Sequence, residues 1–424
     1  MTSALALLLL LVLIGLGLDI ALGVGLVAVA LLMFSLETPA VVIGQVAFSS
    51  LDSYVLIAIP FFVLAGNLAT RGNIAELIFH ALGAVLRCVR GGMAISLMVA
   101  ATAFAAMNGS SVACTVALGP SAMQILPREG YPKRFTAGMV AVAGTLGLMI
   151  PPSLSFIVIG SMMELPILDL FIAGILPGFM EAVLLMIAVA FMSWRNGYGI
   201  KTDRPDWRTF RRKGTQALPG VLLPVSIIVA IYFGIMTPTE ISAFAVAYAA
   251  LLAFVIYRTI SLSEGFHIAR ESLLQTVLVF MIIMSGSLLA FLLVRLGITQ
   301  DIVAILNSFD VGPIGFLIIA NLLLLALGTV FEGASMVVLT APILFPVATS
   351  MGIDPIHFAV IFTACVEIAT LTPPIGMNVF VMARVSGLSV TTVGRAIGPF
   401  YLVRFFSLML INAFPWLSLA LLNR

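Results

Sequence analysis

The chain has 424 residues, of which 62% are hydrophobic and 9% charged, and its formal net charge is +2. Soluble domains carry about 25% charged residues, so this composition excludes a soluble globular protein and predicts an integral membrane protein. Long apolar runs recur from end to end without period-2 alternation, which points to a polytopic, all-α membrane protein and excludes an outer-membrane barrel.

The first apolar run, Ala4 to Phe34, lacks the charged start and small-residue exit of a cleaved signal peptide, so it is expected to stay as a span. The stretch Ile74 to Leu86 is too short to span and is expected to lie along the interface, as is Thr299 to Ser308 in the second half. The next apolar region, about 93–126, has "NGSSVA" (Asn108 to Ala113) at its centre. It is entered past Arg87 and Arg90 and left past Arg128, Lys133 and Arg134, so the positive-inside rule puts both of its ends in the cytoplasm. A segment that starts and finishes on one side must turn back, and the turn falls at Asn108 to Ser111. Irregular backbone at that depth is tolerated only inside protein or along a wet cavity, which makes the tip a candidate binding site. Ser110 or Ser111 can cap the following half-helix and aim its N–H groups at a ligand.

A helix over 135–163 is expected to break at Pro151-Pro152, just after Gly144, Thr145 and Gly147, because proline withholds its N–H and biases the preceding residue away from helix. The chain then returns to a polar connection, 195–216, carrying Arg195, Lys201, Arg204, Arg208, Arg211, Arg212 and Lys213. Topology alone accounts for that cluster, which is read as a cytoplasmic loop and not as a nucleic-acid surface. It divides the chain into halves, 1–194 and 217–424, with scaffold helices in each.

The second half repeats landmarks of the first at an offset of 222 residues: Pro120 and Pro342, Gly130 and Gly352, Pro151-Pro152 and Pro373-Pro374. Its hairpin, about 314–350, is flanked by "NSFDVGP" and "GIDPIH", which contain no Lys or Arg, so both ends are read as periplasmic. A broken helix at 358–383 and a C-terminal helix ending in the periplasm follow, with the N-terminus cytoplasmic. The plan is an inverted repeat with two re-entrant helical hairpins and two broken helices.

Freed carbonyls beside hydroxyls are hard oxygen ligands that suit an alkali cation better than a transition metal. The first repeat offers Asn108, Ser110, Ser111, Gly144, Thr145, Gly147 and Pro151; the second offers Gly328, Glu332, Gly333, Ser335, Thr370, Thr372 and Pro374. Glu332 and Glu367 are costly in an apolar region, and each is compatible with binding a cation, carrying a proton or pairing with backbone donors. Cys88, Cys114 and Cys365 have no paired spacing, and His357, Cys365 and Glu367 do not share a helix face, so neither a disulfide nor a transition-metal site is expected. No cofactor is expected. Absence of GxSxG and of GxxxxGK[ST] argues against a hydrolase and against ATP-driven transport, so no catalytic residue is assigned.

At "IPFFVLAGNL" (Ile59 to Leu68), "NGSSVA", "GTLGLMIPPS" (Gly144 to Ser153), "PILFPVATSMGIDPIHFAVI" (Pro342 to Ile361) and "EIATLTPPIGMNVFV" (Glu367 to Val381), the chain resembles the large membrane subunit of TRAP (tripartite ATP-independent periplasmic) transporters. The resemblance implies a secondary active importer in the bacterial inner membrane. It implies a small organic anion, carboxylate or sulfonate, as substrate, Na+ as coupling ion and an elevator motion of hairpins and broken helices. The substrate is then expected against the tips, at Ser110, Ser111, Gly333 and Ala334. Two partners are implied, a small four-helix membrane subunit and a periplasmic solute-binding protein. The alternative is a stand-alone ion-coupled anion transporter of the same plan without partners.

Overall fold

The computed structural model describes residues 20–200, 205–331, 333–374 and 376–422. The start of the first apolar run, Lys201 and Arg204 of the basic loop, and Glu332 lie outside these. The described residues contain helices and no strand. Eight of the helices are long and apolar enough to cross a membrane, as expected of a polytopic all-α protein.

The first half opens with α1 (Ile20–Phe34), α2 (Ala40–Ser49), α3 (Ala58–Arg71) and the short α4 (Ile74–Leu86). Helices α5 (Gly92–Asn108) and α6 (Ser111–Ile125) follow, joined by a two-residue turn, Gly109 and Ser110. Gly109 sits at φ 66°, a left-handed conformation open to glycine at no steric cost. Ser110 caps α6 by accepting the N–H of Ala113 at 3.4 Å. Next come α7 (Lys133–Met149) and α8 (Leu154–Met162), separated by Pro151 and Pro152, and then the long α9 (Ile167–Asn196). Ser153 caps the resumed helix through the N–H of Phe156, so the break supplies its own N-terminus.

In the second half, α10 (Trp207–Tyr232) starts at Asp206, which accepts the N–H of Thr209 at 2.9 Å. Bonding to the Thr209 side chain and backbone holds the Asp206 carboxyl below its ordinary range. Helices α11 (Pro238–Ala250) and α12 (Leu262–Leu296) lead to α13 (Ile298–Ser308). Then come α14 (Pro313–Leu327), α15 (Gly333–Ser350), α16 (Pro355–Ala369), α17 (Met377–Ser386), α18 (Val390–Ala413) and the short α19 (Trp416–Leu419). An offset of 222 residues separates the start of α6 at Ser111 from that of α15 at Gly333, and the start of α7 at Lys133 from that of α16 at Pro355. Gly130 and Gly352, ahead of the broken helices, share the left-handed conformation with φ 84° and 78°.

Packing sorts the helices into two sets. Helix α3 lies against α11 and α12, α4 against α10, and α1 against α12. Helices α5 to α9 and α14 to α18 form the other set, joined to the first where α4 packs on α5 and α12 on α15. Helices α7 and α16 carry apolar residues on every side, and from Phe135 to Met149 and from Ile356 to Ala369 every residue is buried. A helix apolar all round belongs in the interior, and so does a chain break in a membrane protein. The same two helices meet both demands.

Candidate functional site

Each helix–helix turn is seated on the broken helix of its own half. The Gly109 carbonyl accepts the N–H of Leu154, at the start of α8, at 3.3 Å. A side chain at Gly109 would meet the Pro152 carbonyl at 2.5 Å, and one at Gly147 would meet the Ser110 carbonyl at 2.9 Å. In the second half, Gly328 abuts Ala369, and a side chain at Gly333 would meet Val366 at 2.7 Å. Glycine at 109 and 147 lets backbone approach backbone, and glycine at 328 and 333 leaves room for the Ala369 and Val366 side chains.

Both tips open into one cavity of about 480 Å³. Of the residues singled out in the sequence, Asn108, Ser110, Ser111, Gly333, Ala334 and Thr370 line it. Thus the structure gathers the four residues expected against the substrate around a single space. Gly144, Thr145, Gly147, Pro151, Gly328, Ser335, Thr372 and Pro374 lie outside its lining. They fall behind the tips or along the breaks.

Side-chain partners separate these residues further. Asn108 donates to the Thr70 hydroxyl at 3.3 Å, on α3, and so faces the neighbouring helix set. Thr370 donates to the Glu367 carbonyl at 2.8 Å, and Thr372 donates to the Ile368 carbonyl at 2.8 Å while accepting from Tyr401 at 3.2 Å. Thr145 donates to the Val142 carbonyl at 2.9 Å and accepts from the Arg404 guanidinium. A hydroxyl in contact with a guanidinium is poorly placed to ligate a second cation.

Three groups of polar residues at the site were not singled out in the sequence. Asn67, Thr70 and Arg71 on α3, with Glu271 and Gln275 on α12, also line the cavity. Asn67 donates to Ser272 at 2.8 Å and to Gln275 at 3.1 Å, and Arg71 approaches Glu271 at 3.8 Å. Asn378, the second residue of α17, is fully buried and donates to the Ser111 hydroxyl at 2.6 Å and to the Ala141 carbonyl at 2.9 Å. It fastens the second half to the first tip and the first broken helix together. Glu181 on α9 and Arg404 on α18 form a buried cluster with Glu367. Polar residues inside apolar helices were the available signal in each case, and what was absent from the sequence was their partner.

The family model for the tripartite ATP-independent periplasmic transporter, DctM component, matches residues 5–417. The chain belongs to this family. A C4-dicarboxylate TRAP transporter large permease protein from Pseudomonas aeruginosa is 37% identical over 376 residues, covering 89% of this chain and 88% of that one. A sialic acid TRAP transporter large permease protein from Vibrio cholerae is 31% identical, covering 89% and 88%. An isethionate TRAP transporter permease protein from Oleidesulfovibrio alaskensis is 30% identical over 84% of this chain and 56% of its own length. In fold the chain is similar to the Alcanivorax borkumensis YdaH transporter, whose crystal structure is described as having an unusual topology. The TM-score is 0.56 at 14% identity, covering 88% of this chain and 89% of that one. This DctM family member is a multi-pass permease subunit of a membrane transporter and not an enzyme.

Proposed function

We propose that this DctM family member is the large membrane subunit of a Na+-coupled importer of a small organic anion, a carboxylate or a sulfonate, in the bacterial inner membrane. The observation that carries the reading is the single cavity into which both helix tips open, each tip docked on a broken helix. Ser111 and Gly333 begin helices at that cavity, and helix N-termini attract anions through unpaired N–H groups and the helix dipole. Carbonyls bared behind the tips suit an alkali cation. The relatives named for C4-dicarboxylate, isethionate and sialic acid support an acidic substrate.

Arg71 is the one cation among the described residues that line the cavity, and its guanidinium is 3.8 Å from the Glu271 carboxylate. Neutral donors alone hold an anion weakly, which favours delivery by a periplasmic solute-binding protein, with a small four-helix membrane subunit as the second partner. The division into two helix sets, with the tips and broken helices in one, supports an elevator in which that set moves against the other.

Reconstitution tests this directly. Liposomes containing this chain, the small subunit and the binding protein are expected to take up succinate, isethionate or sialic acid under an inward Na+ gradient. Uptake driven equally by a proton gradient without Na+ would overturn the coupling, and full uptake by this chain alone would favour the stand-alone alternative.

Topology has its own test. In a protein with Cys88, Cys114 and Cys365 replaced, a cysteine at the exposed Thr215 is expected to label from the cytoplasm and one at the exposed Ser350 from the periplasm. Labelling of both from one side would contradict the inverted repeat.

A further inference from the structure

Glu367 closes the last turn of α16 and is fully buried, with Glu181 and Arg404 each only 2% exposed beside it. One nitrogen, Nη1 of Arg404, donates to both acids, to Glu181 Oε2 at 2.6 Å and to Glu367 Oε2 at 3.0 Å. Nη2 is committed to the Thr145 hydroxyl and the Val142 carbonyl. Two ionised carboxylates facing one guanidinium would leave a net negative charge where even a paired charge is expensive. The helices packed on α16 bring no other charged group within ion-pair distance of Glu367 among the described residues.

The two acids are bonded differently. Glu181 also accepts the Ser407 hydroxyl, at 2.7 Å through Oε1, so both of its oxygens are paired. Glu367 accepts the longer of the two bonds from Nη1, and its Oε1 has no partner. An ionised carboxylate calls for several donors, and a bare anionic oxygen in an apolar interior carries the full cost of lost hydration. A neutral acid needs fewer donors and has only its own O–H to place, so a bare oxygen costs it less.

We propose that Glu367 is a buried proton-binding site of the permease, the proton neutralising the cluster while Glu181 stays ionised against Arg404 and Ser407. The assignment stands apart from the transport reading, because it rests on charge and bonding within the cluster. Combined with that reading, it has a consequence for the site. Thr370, which lines the cavity, donates to the backbone carbonyl of Glu367, so the group nearest the second break is neutral and does not repel an anion at the tips.

Infrared difference spectroscopy of the purified full chain in lipid nanodiscs tests the site. A protonated-carboxyl stretch is expected in the parent and is expected to vanish in Glu367→Gln. Absence of the stretch from the parent, or its persistence in Glu367→Gln, would overturn the proposal. Thermal unfolding gives a second readout, since glutamine mimics a neutral acid. Glu367→Gln is expected to unfold within about 2 °C of the parent, whereas Glu181→Gln, which forces Glu367 with its unpartnered Oε1 to serve as the anion for Arg404, is expected to lose roughly 5 °C or more. A Glu367→Gln protein that fails to fold, or unfolds as early as Glu181→Gln, would show that Glu367 is needed as an anion and overturn the proposal equally.

Discussion

Replacing Arg404 by leucine is expected to cost about 3–5 kcal/mol of stability, as breaking a buried ion pair from one side typically does. The guanidinium joins four helices: α18 carries it, and it bonds to Glu181 on α9, to Glu367 on α16 and to Thr145 and Val142 on α7. Leucine would leave the Glu181 carboxylate buried with only the Ser407 hydroxyl as donor. A loss of that size takes up a large part of the stability that a folded protein commonly has. Lysine at 404 keeps a charge but has no planar fork to serve two acids and a hydroxyl at once, so an intermediate loss is expected. Unfolding temperature and recovery of monodisperse protein in detergent measure both variants. If Arg404→Leu unfolds where the parent does, the cluster contributes nothing to holding α7, α9, α16 and α18 together.

That cluster marks a limit of what the sequence discloses. Where the chain must break is written locally. Proline pairs lack N–H groups, so Pro151-Pro152 and Pro373-Pro374 interrupt their helices in any tertiary setting. Asn108 to Ser111 holds a glycine and a cap, which suffices to place the first turn at Gly109 and Ser110. Even the enclosure of the broken helices follows from their being apolar on all sides.

Pairing across long separations is not written locally. Arg404 and Glu181 lie 223 residues apart, and Asn378 and Ser111 lie 267 apart. Each residue alone reads as a costly polar group in an apolar helix, and only packing shows what it costs or stabilises. For the same reason Thr145 read as an oxygen ligand. Its position just before the break suggested that role, and its contact with the Arg404 guanidinium comes from a helix whose placement no local pattern records. Part of the cavity lining was hidden in a further way: Asn67 and Arg71 belong to a helix set that no hairpin or proline argument concerned.

The first tip depends on the second half for its placement, and Asn378 is the link. Its amide nitrogen holds the Ser111 hydroxyl and the Ala141 carbonyl, so one side chain on α17 ties α6 to α7. Asn378→Leu conserves volume approximately and removes both donations. Ala141 lies within a helix, whereas Ser111 loses the side-chain donor at its hydroxyl, a cost of about 1–3 kcal/mol for a buried group. If the tip and break close on a cation together, that cost falls on the closed arrangement. The Na+ concentration for half-maximal uptake should then rise about tenfold, the equivalent of about 1.4 kcal/mol. Membrane insertion and yield are expected to hold, because the surrounding helices keep their apolar packing. Ser111→Ala removes the other end of the same bond, so the double variant should be little worse than Asn378→Leu alone, with a coupling on the order of 1 kcal/mol. Strictly additive effects would mean that the two residues act on Na+ independently. An unchanged Na+ requirement in Asn378→Leu would mean that seating the first tip has no part in cation binding.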